Sequence, residues 1–367
     1  MSKSERDALL SKPISGFSLY EGKSVPDILR LFGGTSFQSR KLNRAYEIYQ
    51  NMLKDDDCTI FLGLAGAMIP AGQGELIAHL IRERMIDVIF STGAQIYHDF
   101  YEVLGGMHYV GTEHADDDKL RELNIDRIYD TYGDDNAYQD LDNRIEHACS
   151  LLPEGNYSSW ELIAHFYKIL SEGRKPKEGI TRAAIETDTP LFIPTFHDSS
   201  LMFGILKHFH TTGRRVTLDY TKDLMMHVEI HRQSKKLGAI FIGGGVPKNH
   251  IQQITPIREV IESKSGHMFD GITYGIQITT SDPRDGGLSG CTMSESKSWG
   301  KYSKKSQMAT VWGDATILFP LLASGVYQET EAVLKKRKKR VFNLDKYITP
   351  AHIDHPKRTG SRAFHKF

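Results

Sequence analysis

Between Cys58 and Ala94 the hydrophobic period changes twice, and this constrains the fold more than any other feature of the chain. CTIFLGLAG is a continuous apolar run closed by glycine, PAGQGELIAHLIRERMI repeats its apolar residues at helical spacing, and DVIFSTGA is apolar and β-branched again. Strand, helix and strand within about 37 residues form a βαβ unit, because parallel strands need a crossover of a dozen residues or more. The unit predicts an α/β fold with both faces of a parallel sheet covered.

The alternation returns later. TPLFIPTF reads as a strand, SSLMFGILKHF as a helix, the stretch from Arg214 to Lys236 as a longer helix, and LGAIFIGGG as another buried strand. GITYGIQITT and ATVWGDA close the series. Upstream, Leu42, Ala45, Tyr46 and Tyr49 recur at helical spacing between Phe37 and Asp55. Residues from about 103 to 180 are richer in charge and turn signals and read as an insertion or helical layer. The expectation is one large, doubly wound parallel sheet of Rossmann-like type over 37–334, preceded by an N-terminal segment, 1–36, and followed by a basic tail, 335–367.

The chain has 367 residues, with 46 Lys+Arg against 46 Asp+Glu. That balance excludes a uniformly basic nucleic-acid coat, but it hides an asymmetry. From Lys335 to Phe367 eleven Lys/Arg stand against two Asp/Glu, which leaves 35 against 44 in the first 334 residues. KKRKKR at 335–340 is read as a tail that is solvated or docked on the chain's own acidic surface, with binding to nucleic acid or an acidic partner as the alternative. Cys58, Cys149 and Cys291 lie far apart without a CxxC pair, which suits a reducing cytoplasm and small core residues. The polar start MSKSERDALLSKPISGF lacks the apolar core of a signal peptide, and no apolar run approaches the ~18 residues of a membrane helix. A cytoplasmic protein without a membrane partner is expected.

Ligands of parallel α/β sheets bind beyond the carboxyl ends of the strands. Gly63 to Gly74, Thr92-Gly93-Ala94, Gly243-Gly244-Gly245 and Gly313-Asp314-Ala315 each follow an apolar run. None has the GxGxxG or GxxxxGK[ST] spacing, so each alone fits a tight turn; together they point to a nucleotide or dinucleotide. Asp198, just past TPLFIPTF, suits ribose hydroxyls or, alternatively, a helix N-cap. In SESKSWGKYSKK, Glu295, Trp299 and Lys301 share a short polar stretch. A lysine desolvated by an aromatic wall can act as an imine-forming nucleophile, and Glu295 can hold an ammonium or shuttle a proton. His227 and His231 stand at i, i+4, a spacing metal ligands use, but without the HExxH glutamate, and no metal is expected. No GxSxG elbow is present.

GGGVPKNHI at 243–251, SWGK at 298–301 and VWGDATILFPLL at 311–322 resemble the deoxyhypusine synthase family, as do FLGLAGAMIPAG at 61–72 and TPLFIPTFHDSSL at 189–201. The resemblance spans roughly Phe61 to Leu322. It implies a homotetramer that binds NAD at subunit interfaces and an aminobutyl transfer through an imine on the SWGK lysine, here Lys301. The cofactor positions it implies are Gly66, Thr92, Gly93, Asp198, Gly244, Thr280, Ser281, Asp285, Asp314 and Ala315. The substrate positions are Glu295, Trp299, His98 and Asn249.

The amine side departs from the family pattern. His98, Phe203 and Leu288 stand where the family has carboxylates, and Asn249 where it has an active-site histidine. Each desolvated ammonium of a polyamine needs an acceptor, so the altered pocket points to a deoxyhypusine synthase-like transferase that hands its aminobutyl group to a small amine, as in homospermidine formation. A guanidino donor also fits. The alternatives are a true deoxyhypusine synthase acting on a protein lysine and a catalytically silent NAD-binding protein with a nucleic-acid-binding tail.

Overall fold

The computed structural model describes residues 3–262, 269–286 and 291–348. Six strands make the principal sheet: β1 (Cys58–Leu64), β2 (Val88–Ser91), β3 (Leu191–Phe192), β4 (Lys236–Ile242), β5 (Ile272–Thr279) and β6 (Tyr302–Trp312). Every neighbouring pair is parallel, in the order β6-β5-β4-β1-β2-β3. The chain starts in the middle of the sheet, moves outward to β3, then crosses back to lay β4 on the other side of β1. Its topological switch point lies between β1 and β4.

All seven residues of β1 are buried, as in a strand covered on both faces. A Cβ on Gly238 of β4 would lie 3.1 Å from Met52 of the Phe37–Lys54 helix. A Cβ on Gly63, which is in register with Phe241, would instead lie 3.2 Å from Ile251 of the Gly245–Gln252 helix. Positions 238 and 241 of one strand point to opposite faces, so helices cover both. The predicted apolar face of Phe37–Lys54, with Leu42, Ala45, Tyr46 and Tyr49, is buried.

Two regions differ from expectation. TPLFIPTF forms only the two-residue β3, because Pro190 and Pro194 flank it and the Ile193 N–H donates to Ser159 Oγ (2.9 Å) instead of to a ladder. The 103–180 stretch holds helices Asp117–Glu122, Asp135–Leu151 and Ser159–Ser171, but also an antiparallel sheet of Tyr109–Val110, Thr131–Asp134 and Ile125–Ile128. Strands of two to four residues are too short to carry a readable alternation.

The basic run after the Ala315–Leu334 helix lies against the body. Arg337 is buried with its guanidinium on Asp87, Arg340 donates to the Cys58 carbonyl (3.1 Å), and Lys346 pairs with Glu229 (2.7 Å). Among the described residues no helix is long and apolar enough to cross a membrane.

Candidate active site

Because the strands are parallel, their carboxyl ends share one edge, and all the residues predicted to hold a cofactor lie in segments leaving that edge. Gly66 follows β1 with φ +83°, a left-handed conformation that glycine adopts without strain. Thr92 and Gly93 follow β2 and open the Gly93–Val103 helix. A Cβ on Gly93 would lie 2.4 Å from Ser199 Oγ, so this glycine permits close packing of the loop that carries Asp198. The Thr92 hydroxyl is buried without a hydrogen-bond partner.

Asp198 is exposed, and its carboxylate does not cap the following helix, whose N-cap is Ser200; the capping reading of Asp198 is thereby corrected. Gly244 follows β4 between Gly243 (φ +74°) and Gly245 (φ +59°), and Gln277 Nε2 ties this turn down through the Gly243 carbonyl at 2.9 Å. Thr280, Ser281 and Asp285 leave β5; the Ser281 N–H donates to Thr279 Oγ1 at 3.1 Å, and Asp285 sits in a turn closed onto the Asp282 carbonyl. Asp314 follows β6 as N-cap of Ala315–Leu334, accepting from the Thr316 N–H at 2.6 Å and from its hydroxyl. Those bonds hold the Asp314 carboxyl below the usual carboxylate range.

Lys301 precedes β6 and so stands at the other end of that strand. The Glu295–Trp299 3-10 helix ends in Gly300 (φ +71°), the Lys301 carbonyl accepts from the Ile272 N–H at 3.0 Å, and a Cβ on Gly271 would lie 2.7 Å from that carbonyl. The Lys301 side chain turns inward, 9% exposed, and Nζ donates to Asn249 Oδ1 at 3.0 Å. The Lys301 backbone lies seven steps of β5 from the glycine edge, roughly 23 Å at about 3.3 Å each, but its side chain meets Asn249, four residues into the helix that opens at Gly245 on that edge.

Trp299 is 66% exposed and does not wall the lysine, which corrects the expected aromatic shielding; burial beside the Gly245–Gln252 helix encloses Lys301 instead. Glu295 is also exposed and exchanges hydrogen bonds with Thr292.

Sequence reasoning passed over Lys248. It is 6% exposed, donates from Nζ to Gln277 Oε1 (3.0 Å) and to the Cys291 carbonyl, and has its pKa lowered by burial and by the nearby Lys301 charge. Its signal was a lysine one position before Asn249 in an otherwise neutral GGGVPKNHI.

His98 lies apart from the Lys301–Asn249 pair, in a network with His108, Glu102 and Tyr138. Phe203 is half exposed on the Leu201–Thr212 helix; Leu288 lies outside the described residues. His227 is fully buried against Phe61, Phe90 and His250, while His231 meets Arg258 and Thr255. Among the described residues no group of three His, Cys, Asp or Glu is placed to hold a metal ion.

A family model described as Deoxyhypusine synthase matches residues 27–326. "Probable deoxyhypusine synthase 2" of Methanosarcina acetivorans is 39% identical over 325 residues, covering 89% of this chain and 92% of its own. "Deoxyhypusine synthase-like protein" of Chlorobaculum tepidum is 38% identical over 327 residues, with coverage of 89% and 92%. A crystal structure assigned to a deoxyhypusine synthase of Entamoeba histolytica superposes with a TM-score of 0.57 at 16% identity, over 86% of this chain and 97% of that one, a likeness of fold. The chain belongs to the deoxyhypusine synthase family of aminobutyl transferases.

Proposed function

We propose that the chain is an NAD-dependent aminobutyl transferase in which Lys301 carries the four-carbon amine as an imine and a small amine receives it. The observation that carries this reading is Lys301 itself, held out of bulk water with Nζ on the neutral Asn249 amide. The amide oxygen orients the amine group through this hydrogen bond.

The carboxyl edge fits NAD. Left-handed glycines at 66, 243 and 245 open backbone to a close-lying pyrophosphate, the strand order has its switch point at β1/β4, Asp198 offers an uncommitted carboxylate for ribose hydroxyls, and Thr92 holds an unpartnered hydroxyl. NAD, when bound, accepts and returns the hydride that side chains cannot carry. Lys301 supplies the nucleophile, Asn249 positions it, and the exposed Glu295 holds an ammonium of the substrate. A homotetramer in which a neighbouring subunit covers Trp299 completes the reading.

The small-amine acceptor follows from His98 and Phe203, which cannot balance the charge of an ammonium as carboxylates do. A protein-lysine acceptor shares the donor half of the reaction and is separated from the first reading by product analysis. The test is borohydride trapping with NAD and spermidine, putrescine or agmatine, followed by peptide mapping. An adduct on Lys301, absent in Lys301→Ala with NAD binding intact, is expected; no adduct with any of the three amines while NAD still binds overturns the proposal.

A further inference from the structure

Lys248 stands in the Gly245–Gln252 helix, one residue before the Asn249 that receives Lys301, and is 6% exposed. Its Nζ has two acceptors, both neutral: Gln277 Oε1 at 3.0 Å and the Cys291 carbonyl. Gln277 is itself buried in β5, and its other amide atom, Nε2, donates to the Gly243 carbonyl at 2.9 Å. Gly243 opens the glycine turn after β4 in a left-handed conformation, φ +74°.

Each contact fixes the next. A lysine that donates to Gln277 must meet the amide oxygen, so the amide nitrogen faces the Gly243 carbonyl. With the amide turned over, two oxygens would face each other there and Nε2 would face Nζ. Lys248 thus selects the amide orientation that holds the glycine turn, which opens the Gly245–Gln252 helix where backbone N–H groups meet a pyrophosphate. On its other side Lys248 holds the segment that carries Lys301. Cys291 Sγ lies 3.3 Å from Ser296 Oγ, that hydroxyl donates to the Thr292 carbonyl at 2.9 Å, and the Lys301 N–H donates to the Ser296 carbonyl at 3.2 Å. Residues 291–301 are therefore one hydrogen-bonded piece, tied to Lys248 at its first residue and to Asn249 at its last. A methionine would fill the same space without the cost of desolvating an amine on neutral acceptors, so packing alone does not account for this lysine.

Resting on the transferase reading above, we propose that Lys248 is a positioning residue that couples the dinucleotide turn to the nucleophile, so that NAD seated against Gly243–Gly245 holds Lys301 in place. Gln277 is the second positioning residue. The two-state element is its amide, whose other orientation would release the turn and Lys248 together. The turn and the 291–301 segment share one lysine, so ordering either leaves less motion to be removed from the other. The effect runs in both directions with one factor: NAD steadies Lys301, and a steadied Lys301 favours NAD. No bond is made or broken in this coupling.

The experiment measures the rate at which a trace of acetic anhydride acetylates Lys301 in the full-length protein, by peptide mapping, with and without saturating NAD. The exposed Lys305 serves as reference, and NAD affinity is titrated in parallel. In wild type, NAD is expected to slow Lys301 about tenfold. In Lys248→Met and in Gln277→Leu the NAD effect is expected to vanish and NAD affinity to weaken by a similar factor, whereas Lys248→Arg, which still donates to both acceptors, keeps most of the effect. Should Lys248→Met fail to fold, Gln277→Leu carries the test. An NAD effect undiminished in the folded variants, a loss as large in Lys248→Arg as in Lys248→Met, or no NAD effect in a wild type that binds NAD overturns the coupling alone. Because labelling needs no amine substrate, the absence of an adduct with every amine counts against the transferase reading and not against the coupling. Failure of the wild type to bind NAD overturns both.

Discussion

Arg337 places both terminal guanidinium nitrogens on the Asp87 carboxylate, at 2.9 and 2.7 Å, with both side chains buried where β1 and β2 begin. Asp87 also accepts the Ile60 N–H at 2.8 Å, so the pair stitches the chain's last described segment to its central strand. Removing one partner leaves the other as an uncompensated buried charge. Arg337→Met is expected to cost about 3–5 kcal/mol in urea unfolding, and adding Asp87→Asn to recover part of it. A loss under ~1 kcal/mol for the single variant would show that the pair is not buried in solution.

Acid should destabilise the fold through its buried histidines. Complete burial, with His250 and His231 adding to it, holds the His227 pKa well below its ordinary value, and burial lowers His231 and His250 to about 4. The unfolded chain takes up these protons near pH 6.5 while the folded chain does not. The histidines' contribution is therefore complete above about pH 6.5 and declines as the pH falls from there through 4, partly offset by Asp223 and Asp99, whose carboxyls burial raises to about 7 and about 6. The urea midpoint is expected to drop between pH 7.5 and 5, and less steeply in His227→Leu; equal slopes would remove His227 from this account.

Gly93→Ala should act on the nucleotide edge rather than on Lys301. Its Cβ would meet Ser199 at 2.4–2.6 Å and push the Asp198 loop away. If half of an overpacking cost of about 1–3 kcal/mol falls on the bound state, NAD affinity drops roughly two- to tenfold. Ser199→Gly in the same chain should restore most of it. Calorimetric titration with NAD decides this, and failure of the double variant to recover would place the effect elsewhere.

Phe203→Asp puts a carboxylate on an exposed first turn of a helix, where it is also favourable for the helix dipole. One partly solvated ion pair is worth about 1 kcal/mol, so the KM for spermidine should fall roughly fivefold with little change in kcat. A rise in KM would show that this position does not face the amine.

Much of this architecture was legible in the chain, because buried parallel strands write themselves as apolar runs ending in glycine. β1, β2, β4 and β5 were readable in that way. β3 was overread because flanking prolines leave it too little backbone to pair. The residues expected to hold a cofactor stand out as glycines and as a family pattern, but their meeting on one edge is a product of strand polarity. Trp299 misled because its neighbour in sequence is not its neighbour in packing. Lys248 and the Glu102–His108–His98 chain were not readable, since polar side chains that find one another through tertiary folding leave no periodicity.

The register between β1 and β4 also sets a timetable. Residues 58–64 pair with 236–242, so the innermost strand leaves the ribosome long before its partner exists. At about 5–20 residues per second the delay is roughly 10–35 s, during which the seven residues of β1 show an unpaired edge. Nascent chains of this protein are thus the form most in need of a chaperone, and a fragment ending before residue 236 should aggregate even though it contains the whole first βαβ unit.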